Sequence, residues 1–232
     1  MKLYSILDGP PSVACRQALK ALNIDYELIE VDFLKGDHMT EEYAKMNPQK
    51  EIPVLVDGDL AIGESTAIIQ YLCDKYDTTG KFYPKDPKAR AIVNHRLSFN
   101  LAMYYRDILE YAVAPIYFDY PRTPLGLKKM KIALDAFNTY LQRGNTEYAA
   151  GNTVTIADMA LMASTMGLEA IDFKLTDWPY VEKWYNNYKQ KQPELWKIVK
   201  EAMEAMKDCV KNPPDLSGIG HPIHPVRQVK KT

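Results

Sequence analysis

The sequence has few cysteines, and none of them are paired at a metal-binding or redox spacing. Its three cysteines are Cys15, Cys73 and Cys209, which are too far apart for the Cys-x-x-Cys motifs of zinc sites and disulfide oxidoreductases. We expect free thiols, no bound metal and a reducing, cytoplasmic environment.

An excess of charge and long apolar runs are also lacking. The 232 residues include 29 Lys and Arg and 30 Asp and Glu, which gives a formal net charge of −1, so no overall field attracts nucleic acid or an anionic membrane surface. No apolar stretch approaches the roughly 18 residues of a membrane span. The first residues lack the basic and apolar segments of a signal peptide. We expect neither a nucleic-acid partner nor membrane attachment.

The first part of the chain alternates between strand and helix patterns. "KLYSIL" (2–7) and "YELIEVD" (26–32) predict strands, and "VACRQALKALNI" between them has apolar residues at helical spacing. "IPVLVDGDLAI" predicts a hairpin turning at Asp57-Gly58, and "ESTAIIQYLCDKY" predicts a helix. The sequence therefore predicts an α/β domain over residues 1–78, with a βαβ unit, a ββα unit and a mixed four-stranded sheet.

The remaining sequence predicts an all-α domain. Residues 79–88 are rich in Gly, Pro and Lys and predict a linker, and residues 89–210 have helical patterns. Thr155 predicts a helix N-cap there, with Asp158 completing a capping box and Val154 packing against Met159. Residues 211–232 are rich in proline, have no apolar period and predict a tail.

A helix start follows the first strand directly, at "SILDGPPSVACR" (residues 5–16). The first N–H groups of a helix have no partner within it, so a corner of this kind binds anions. The sequence therefore predicts a binding corner for an anionic group near residue 9.

Three stretches resemble a known family: "EEYAKMNPQKEIPVLVDGDLAIGESTAIIQYLCDKY", "FYPKDPKARAIVNHRL" and "YAAGNTVTIADMAL". They are similar to the cytosolic glutathione transferases, and among these to the insect delta and epsilon classes, over about residues 3–200. The resemblance implies a thioredoxin-like N-terminal domain, a cytoplasmic homodimer and a detoxifying enzyme with glutathione as co-substrate. It would conjugate the glutathione thiolate to hydrophobic electrophiles. Isomerase, dehydrohalogenase or peroxidase activity, and ligand binding with low turnover, are the alternatives.

The resemblance also implies how glutathione is bound. A cis-Pro53 exposes the backbone of Ile52 to the cysteinyl part, Glu64 and Ser65 suit the γ-glutamyl end, and His38 and Lys50 suit the glycyl carboxylate. The implied set is His38, Lys50, Glu51, Ile52, Pro53, Glu64, Ser65 and Thr66. Lys50 replaces a histidine that is usual in the insect classes, and Thr66 replaces an arginine. Helix capping by an acid and a hydroxyl is the alternative reading of Glu64-Ser65.

The residue that activates the thiol departs from the family pattern. The insect classes place a serine just after the first strand, and an ungapped comparison puts Gly9 there. Ser12, in the first turn of the following helix, is the predicted catalytic residue, although an ordinary first-turn serine is an equal reading. Ser5, Tyr4 and stabilisation by the backbone N–H groups and the helix dipole are the alternatives.

An aromatic-rich helix, "RLSFNLAMYYRDILEYAVAPIYFDY", is expected to form the electrophile pocket. The resemblance favours as its wall Tyr105, Ile108, Ala112, Ile116 and Tyr117. Core packing or dimer contact is the alternative for each of them. The "HPIHP" of the tail has too few histidines to predict a metal site, and we expect disorder or packing there, with capping of the pocket as a further reading.

Overall fold

The computed structural model describes residues 1–33, 35–218 and 224–226. Its first half is built on a four-stranded sheet with the order β2-β1-β3-β4. The strands are β1 (Lys2–Ser5), β2 (Glu27–Glu30), β3 (Val54–Asp57) and β4 (Leu60–Ile62). β1 is parallel to β2, whereas the β1–β3 and β3–β4 pairs are antiparallel. The predicted mixed sheet is confirmed.

Helices cover this sheet. They are α1 (Pro10–Ala21), α2 (Glu41–Met46) and α3 (Ser65–Tyr76), and a 3₁₀ turn (Asp37–Met39) precedes α2. The apolar residues of α1, among them Val13 and Leu19, are fully buried, which follows from their helical spacing. Thr40 caps α2, since its hydroxyl accepts a hydrogen bond from the Tyr43 N–H at 3.2 Å.

The second half is helical. Its helices are α4 (Pro87–Phe99), α5 (Tyr105–Ile108), α6 (Ala114–Tyr117), α7 (Pro124–Gly144), α8 (Ile156–Ala170), α9 (Pro179–Lys191) and α10 (Pro193–Lys211). The predicted all-α domain is therefore confirmed, with an isolated bridge between Tyr148 and Gly151 before α8.

Two π-helical turns join α4, α5 and α6 into one path. Asn100–Tyr104 lies between α4 and α5, and Leu109–Val113 lies between α5 and α6. A π-helix pairs each residue with the fifth one along, so each turn contains more residues than an α-helical turn. Side chains that would share a face at a period of 3.6 are therefore rotated away from one another along this path.

A buried polar contact joins the two halves. Gln17 of α1 donates from Nε2 to the Met159 carbonyl of α8 at 3.1 Å, and its Oε1 accepts from the Tyr188 hydroxyl at 2.5 Å. Gln17 and Tyr188 are fully buried. Because buried polar groups need partners, this contact fixes α1 against the helical half.

The predicted capping box at the start of α8 is present. The Thr155 N–H donates to Asp158 Oδ2 at 2.9 Å, while the Thr155 side chain caps the first turn. Asp158 Oδ1 also accepts from the Ala149 N–H at 2.8 Å and from Trp184 Nε1 at 2.9 Å. The fully buried Asp158 carboxylate thus connects α8, α9 and the loop that precedes α8.

Two features of the described residues concern membranes and metals. None of their helices combines the length and the apolar character needed to cross a bilayer. No group of three or more His, Cys, Asp and Glu side chains among them is arranged to hold a metal ion. His221, the first histidine of "HPIHP", lies outside the described residues, whereas His224 is described.

Candidate functional site

A cleft of about 1050 Å³ opens between the sheet half and the helical half. Its sheet side is formed by the β1–α1 corner, the turn before β3 and the start of α3. It is lined there by every residue expected to hold glutathione, namely His38, Lys50, Glu51, Ile52, Pro53, Glu64, Ser65 and Thr66. The structure therefore brings this set of residues together around one cavity.

The β1–α1 corner contributes Asp8, Gly9, Pro10 and Pro11 to the cleft. Gly9 is the N-cap of α1 and has no side chain to cap it. Pro10 and Pro11 carry no N–H, and Ser12 is fully buried. The Gly9 N–H is therefore the free N–H that this helix end can present to an anion in the cleft.

The structure does not support the expectation that Ser12 is the catalytic hydroxyl. Ser12 is absent from the cleft lining, and its Oγ accepts a hydrogen bond from the Ile6 N–H at 3.4 Å. Ser5 is also buried, and its hydroxyl donates to the Ile6 carbonyl. Tyr4 packs edge-on against Tyr43 outside the cleft. Because α1 begins directly after Gly9, the first turn buries Ser12 instead of directing it into the cavity.

Gly9 is closely packed, so this position has little room for a serine side chain. A Cβ at this position would lie 2.7 Å from Ile6 Cγ1 and 2.8 Å from Ile6 Cδ1. These separations are shorter than van der Waals contact. The corner is thus built around glycine at position 9, and a side chain there requires Ile6 to move.

The turn before β3 presents backbone groups to the cleft. The Ile52–Pro53 peptide bond is cis, as the resemblance implies. The preceding Glu51 carbonyl accepts hydrogen bonds from the Tyr43 hydroxyl at 3.1 Å and from Asn47 Nδ2 at 2.9 Å. Asn47 and Tyr43 are nearly fully buried, so they hold the turn from behind.

The start of α3 combines an acid, a hydroxyl and a left-handed backbone. Glu64 is the N-cap of α3, with φ 59° and no side-chain capping bond. Its carboxylate instead accepts a hydrogen bond from Gln49 Nε2 at 3.0 Å. A non-glycine residue with positive φ stores strain, and such residues concentrate at functional sites. Glu64 and Ser65 thus stand at the start of α3, where the first N–H groups have no partner within the helix.

A cationic side chain and an imidazole mark another end of the cleft. His38 is almost fully buried and stacks on Phe33, with ring centroids 4.8 Å apart. The Lys50 ammonium donates to the Met39 carbonyl at 3.0 Å and to Glu41 at 3.1 Å. Lys50 thus reaches the cleft in an oriented position, with part of its charge balanced by an exposed carboxylate.

Three of the five residues expected in the helical wall do not line the cleft. Tyr105 and Tyr117 line the cleft as expected, but Ile108, Ala112 and Ile116 are buried in the core. The observed wall is spaced by four residues and consists of Leu101, Tyr105, Leu109, Val113 and Tyr117, with Ala114 and Phe118 beside it. The two π turns account for this difference, because they widen the repeat beyond the 3.6 residues assumed for an α-helix.

Two tyrosine hydroxyls lie on this wall. Tyr117 donates to the Asp8 carboxylate across the cleft. Burial and the neighbouring Asp8 raise the pKa of Tyr117, and burial together with Glu51 raises the pKa of Tyr105. Both hydroxyls therefore stay protonated at neutral pH. Among the described residues, the Tyr105 hydroxyl has no hydrogen-bond partner, so it remains a donor that faces the cavity.

Family comparisons agree with this geometry. The model of the glutathione S-transferase N-terminal domain matches residues 3–80, and that of the C-terminal domain matches residues 102–191. Glutathione S-transferase D6 of Drosophila melanogaster is 33% identical over 193 residues, which cover 83% of this chain and 89% of that protein. The chain belongs to the glutathione S-transferase family.

Solved structures place this glutathione transferase among insect enzymes of the delta/epsilon type. A diazinon-metabolizing glutathione S-transferase of the silkworm Bombyx mori is 56% identical, with a TM-score of 0.84 over 88% of this chain and 98% of that one. A delta-class transferase of Nilaparvata lugens is 31% identical, with a TM-score of 0.85 over 91% of this chain and 98% of that one. The thioredoxin-like domain and the transferase activity implied by the resemblance are confirmed.

Sequence reasoning missed several residues of the transferase cleft. Asp8 directly precedes Gly9, and the departure of Gly9 from the family pattern is the signal that could have identified it. Gln49 was not singled out, although its place in "NPQ" was part of the family pattern. Leu109 and Val113 follow from the helical wall once the π turns are known, but no local signal in the sequence predicts those turns.

Replacing Asn47 with alanine is expected to raise the KM for glutathione severalfold and to lower the free energy of unfolding by about 1–3 kcal/mol. The change removes the hydrogen bonds of the Asn47 side chain to the Glu51 carbonyl and the Gln49 N–H, and leaves the Glu51 carbonyl with the Tyr43 hydroxyl alone. Initial-rate kinetics and urea denaturation measure both effects. Asn187→Ala, whose side chain makes only long contacts to Glu147 away from the cleft, should change neither. An unaltered KM in Asn47→Ala would show that the turn does not depend on this contact.

Proposed function

We propose that this transferase binds glutathione along the sheet side of the cleft and conjugates its thiolate to hydrophobic electrophiles held against the helical wall. One observation supports this proposal most strongly. The Ile52–Pro53 turn, the start of α3 and an apolar helical face all line the same cavity. Peptide-like ligands pair with exposed backbone groups in this way.

The γ-glutamyl end of glutathione is assigned to the start of α3. Its α-ammonium suits the Glu64 carboxylate, which Gln49 already orients. Its α-carboxylate suits the Ser65 hydroxyl and the N–H groups of the first turn, where the helix dipole favours an anion. Thr66 adds a neutral hydroxyl where the family usually has an arginine, so Ser65 and the backbone carry more of the carboxylate binding.

The glycyl carboxylate is assigned to His38 and Lys50. Lys50 supplies a cationic side chain, and its contacts to Glu41 and Met39 hold it in place. Burial of His38 against Phe33 gives this end of the site a rigid apolar floor. Glutathione would thus lie between an acidic end and a basic end of the cleft, which fixes its direction.

With glutathione bound in this direction, its thiol faces the β1–α1 corner and the helical wall. At this corner Gly9 presents a backbone N–H, whereas Ser5 and Ser12 are buried and do not line the cleft. The Tyr105 hydroxyl is the available donor on the opposite wall. We assign it the stabilisation of the thiolate, because a hydrogen bond to the charged form lowers the pKa of a thiol.

The electrophile is assigned to the apolar space beside Leu109, Val113 and Phe118. The silkworm relative metabolizes diazinon, which supports an apolar electrophile. In the proposed reaction the thiolate attacks the electrophilic carbon, a carbon–sulfur bond forms, and a leaving group departs with the bonding electron pair. Proximity of the two reactants in one cavity supplies much of the rate increase.

The cytoplasmic location and the homodimer remain part of the proposal. The exposed apolar residues Ile92 and Leu101, which are 46% and 51% exposed, lie along α4 and the π turn that follows it. They support a second copy of this chain as a partner. Light scattering of the purified protein should give twice the mass of the chain, and a monomer would contradict this part.

Replacing Glu64 with alanine is expected to raise the dissociation constant for glutathione about ten- to hundredfold, because a hydrogen bond to a charged group contributes about 1.5–3 kcal/mol. Calorimetric titration with glutathione measures it. The matched control is Glu42→Ala, an exposed carboxylate on α2 that does not line the cleft. Wild-type affinity in the Glu64 variant, or no binding by the wild-type protein, would contradict the proposed site.

A further inference from the structure

The residues after α10 that the structure describes lie against Phe118, in the part of the cleft assigned to the electrophile. We define the tail strap as residues 213–218 and 224–226, which follow α10. The family models match residues 3–80 and 102–191, so the tail strap lies outside both. The two solved relatives are covered to 98% while 88% and 91% of this chain is matched, so this chain has length beyond theirs.

Three consecutive residues of the helical half hold the end of the tail strap. The His224 ring stacks on Phe118, with centroids 4.2 Å apart and planes at 23°. The His224 Nδ1 lies 3.0 Å from the Tyr120 hydroxyl. The Asp119 N–H donates to the Pro225 carbonyl at 2.9 Å. Stacking, side-chain and backbone contacts together define one position for this segment.

The tail strap is also anchored across the cleft. Leu216 is 1% exposed and forms an apolar cluster with Phe118, against which Phe33 packs. Phe33 belongs to the sheet half and stacks on His38 on its other side. The apolar cluster that contains Leu216 therefore includes residues of both halves of the enzyme.

Two residues of the tail strap, Pro214 and His224, line the same cleft as the catalytic corner. Their neighbours in the lining are Tyr117 and Phe118. The cavity is therefore bounded beside Phe118 by flat rings, which favour stacking with aromatic guests.

We infer that the tail strap forms the outer wall of the electrophile pocket, and that His224 is a specificity-determining residue that favours aromatic electrophiles. The inference rests on the proposed function and adds a substrate class to it. Stacking on His224 contributes to binding of the electrophile, whereas His224 is not among the residues to which glutathione is assigned.

The test compares two electrophiles in steady-state kinetics: chlorodinitrobenzene, which is aromatic, and iodoethane, which is small and aliphatic. His224→Ala is expected to raise the KM for chlorodinitrobenzene about three- to tenfold and to leave the KM for iodoethane and for glutathione unchanged. His224→Phe, which keeps a ring on Phe118, is expected to stay near the wild-type value. Ser217→Ala, an exposed position of the same segment, is the control.

A variant whose chain ends at residue 212 provides a second measurement of the KM for chlorodinitrobenzene. It should show the same loss for chlorodinitrobenzene, or a larger one, while its thermal unfolding transition stays cooperative. Equal changes for both electrophiles in His224→Ala, or none for either, would overturn the inference. Absence of glutathione binding in the wild-type enzyme would instead contradict the proposed function, so the two failures are distinguishable.

Discussion

Replacing Tyr105 with phenylalanine is expected to lower kcat/KM about ten- to hundredfold with chlorodinitrobenzene. The change removes a single hydroxyl from the cleft wall and leaves the ring that packs beside Leu109. A hydrogen bond to a charged group is worth about 1.5–3 kcal/mol, which corresponds to this loss in rate. The affinity for glutathione should fall by less, since most of the peptide is held by the sheet half.

The expectation rests on the lack of a side-chain hydroxyl in the cleft at the β1–α1 corner, within the part of the chain that the structure describes. Gly9 has no hydroxyl, Pro10 and Pro11 have no N–H, and Ser12 uses its oxygen to accept from Ile6. The Tyr117 hydroxyl donates to Asp8. Tyr105 is the cleft tyrosine whose hydroxyl has no partner among the described residues.

Two variants serve as controls for Tyr105. Tyr111→Phe changes the same residue type on the neighbouring π turn, outside the cleft lining, and should retain wild-type rates. Ser12→Ala should retain a lowered thiol pKa, because its hydroxyl does not reach the cavity. Full activity of Tyr105→Phe combined with inactive Ser12→Ala would reverse the assignment made here.

Replacing Asp158 with alanine is expected to lower the free energy of unfolding by about 3–5 kcal/mol. The carboxylate accepts from the Thr155 N–H, the Ala149 N–H and Trp184 Nε1 in a fully buried position. Its removal leaves several buried donors without an acceptor, and each such donor costs about 1–3 kcal/mol. Urea denaturation followed by circular dichroism measures the change.

The matched control is the exposed N-cap of α4. Asp86 accepts one hydrogen bond, from the Ala89 N–H at 2.9 Å, and Asp86→Ala should cost about 1 kcal/mol. If both substitutions cost the same, Asp158 acts only as a helix cap. In that case the connection that it makes between α8, α9 and the preceding loop would contribute nothing measurable.

Local patterns predicted the elements that depend on local physics. The alternation of apolar residues gave the sheet, and the "TIAD" sequence identified the start of α8 through side chains only a few residues apart. Glu64 and Ser65 were placed at the start of α3 for the same reason. The residues that line the cleft and are proposed to bind glutathione were predicted from the family pattern, since nothing local links His38 to Ser65.

The errors arose where a tertiary arrangement overrides the local pattern. Ile108, Ala112 and Ile116 follow an α-helical period, but the π turns at Asn100–Tyr104 and Leu109–Val113 shift the cleft-facing positions. A π turn costs free energy within its own helix, and packing against other helices offsets that cost. A single sequence therefore carries no local signal for such turns. The position of His224 likewise depends on contacts with Phe118 and Tyr120, which are remote in sequence.

The most direct test of the account is the pKa of the thiol of bound glutathione, measured by the ultraviolet absorbance of the thiolate across a pH titration. In the wild-type enzyme this pKa should lie below the value of about 8.5 for a free thiol. It should rise by about 1–2 pH units in Tyr105→Phe and stay at the wild-type value in Ser12→Ala. An unchanged pKa in Tyr105→Phe, or a rise in Ser12→Ala alone, would contradict the account.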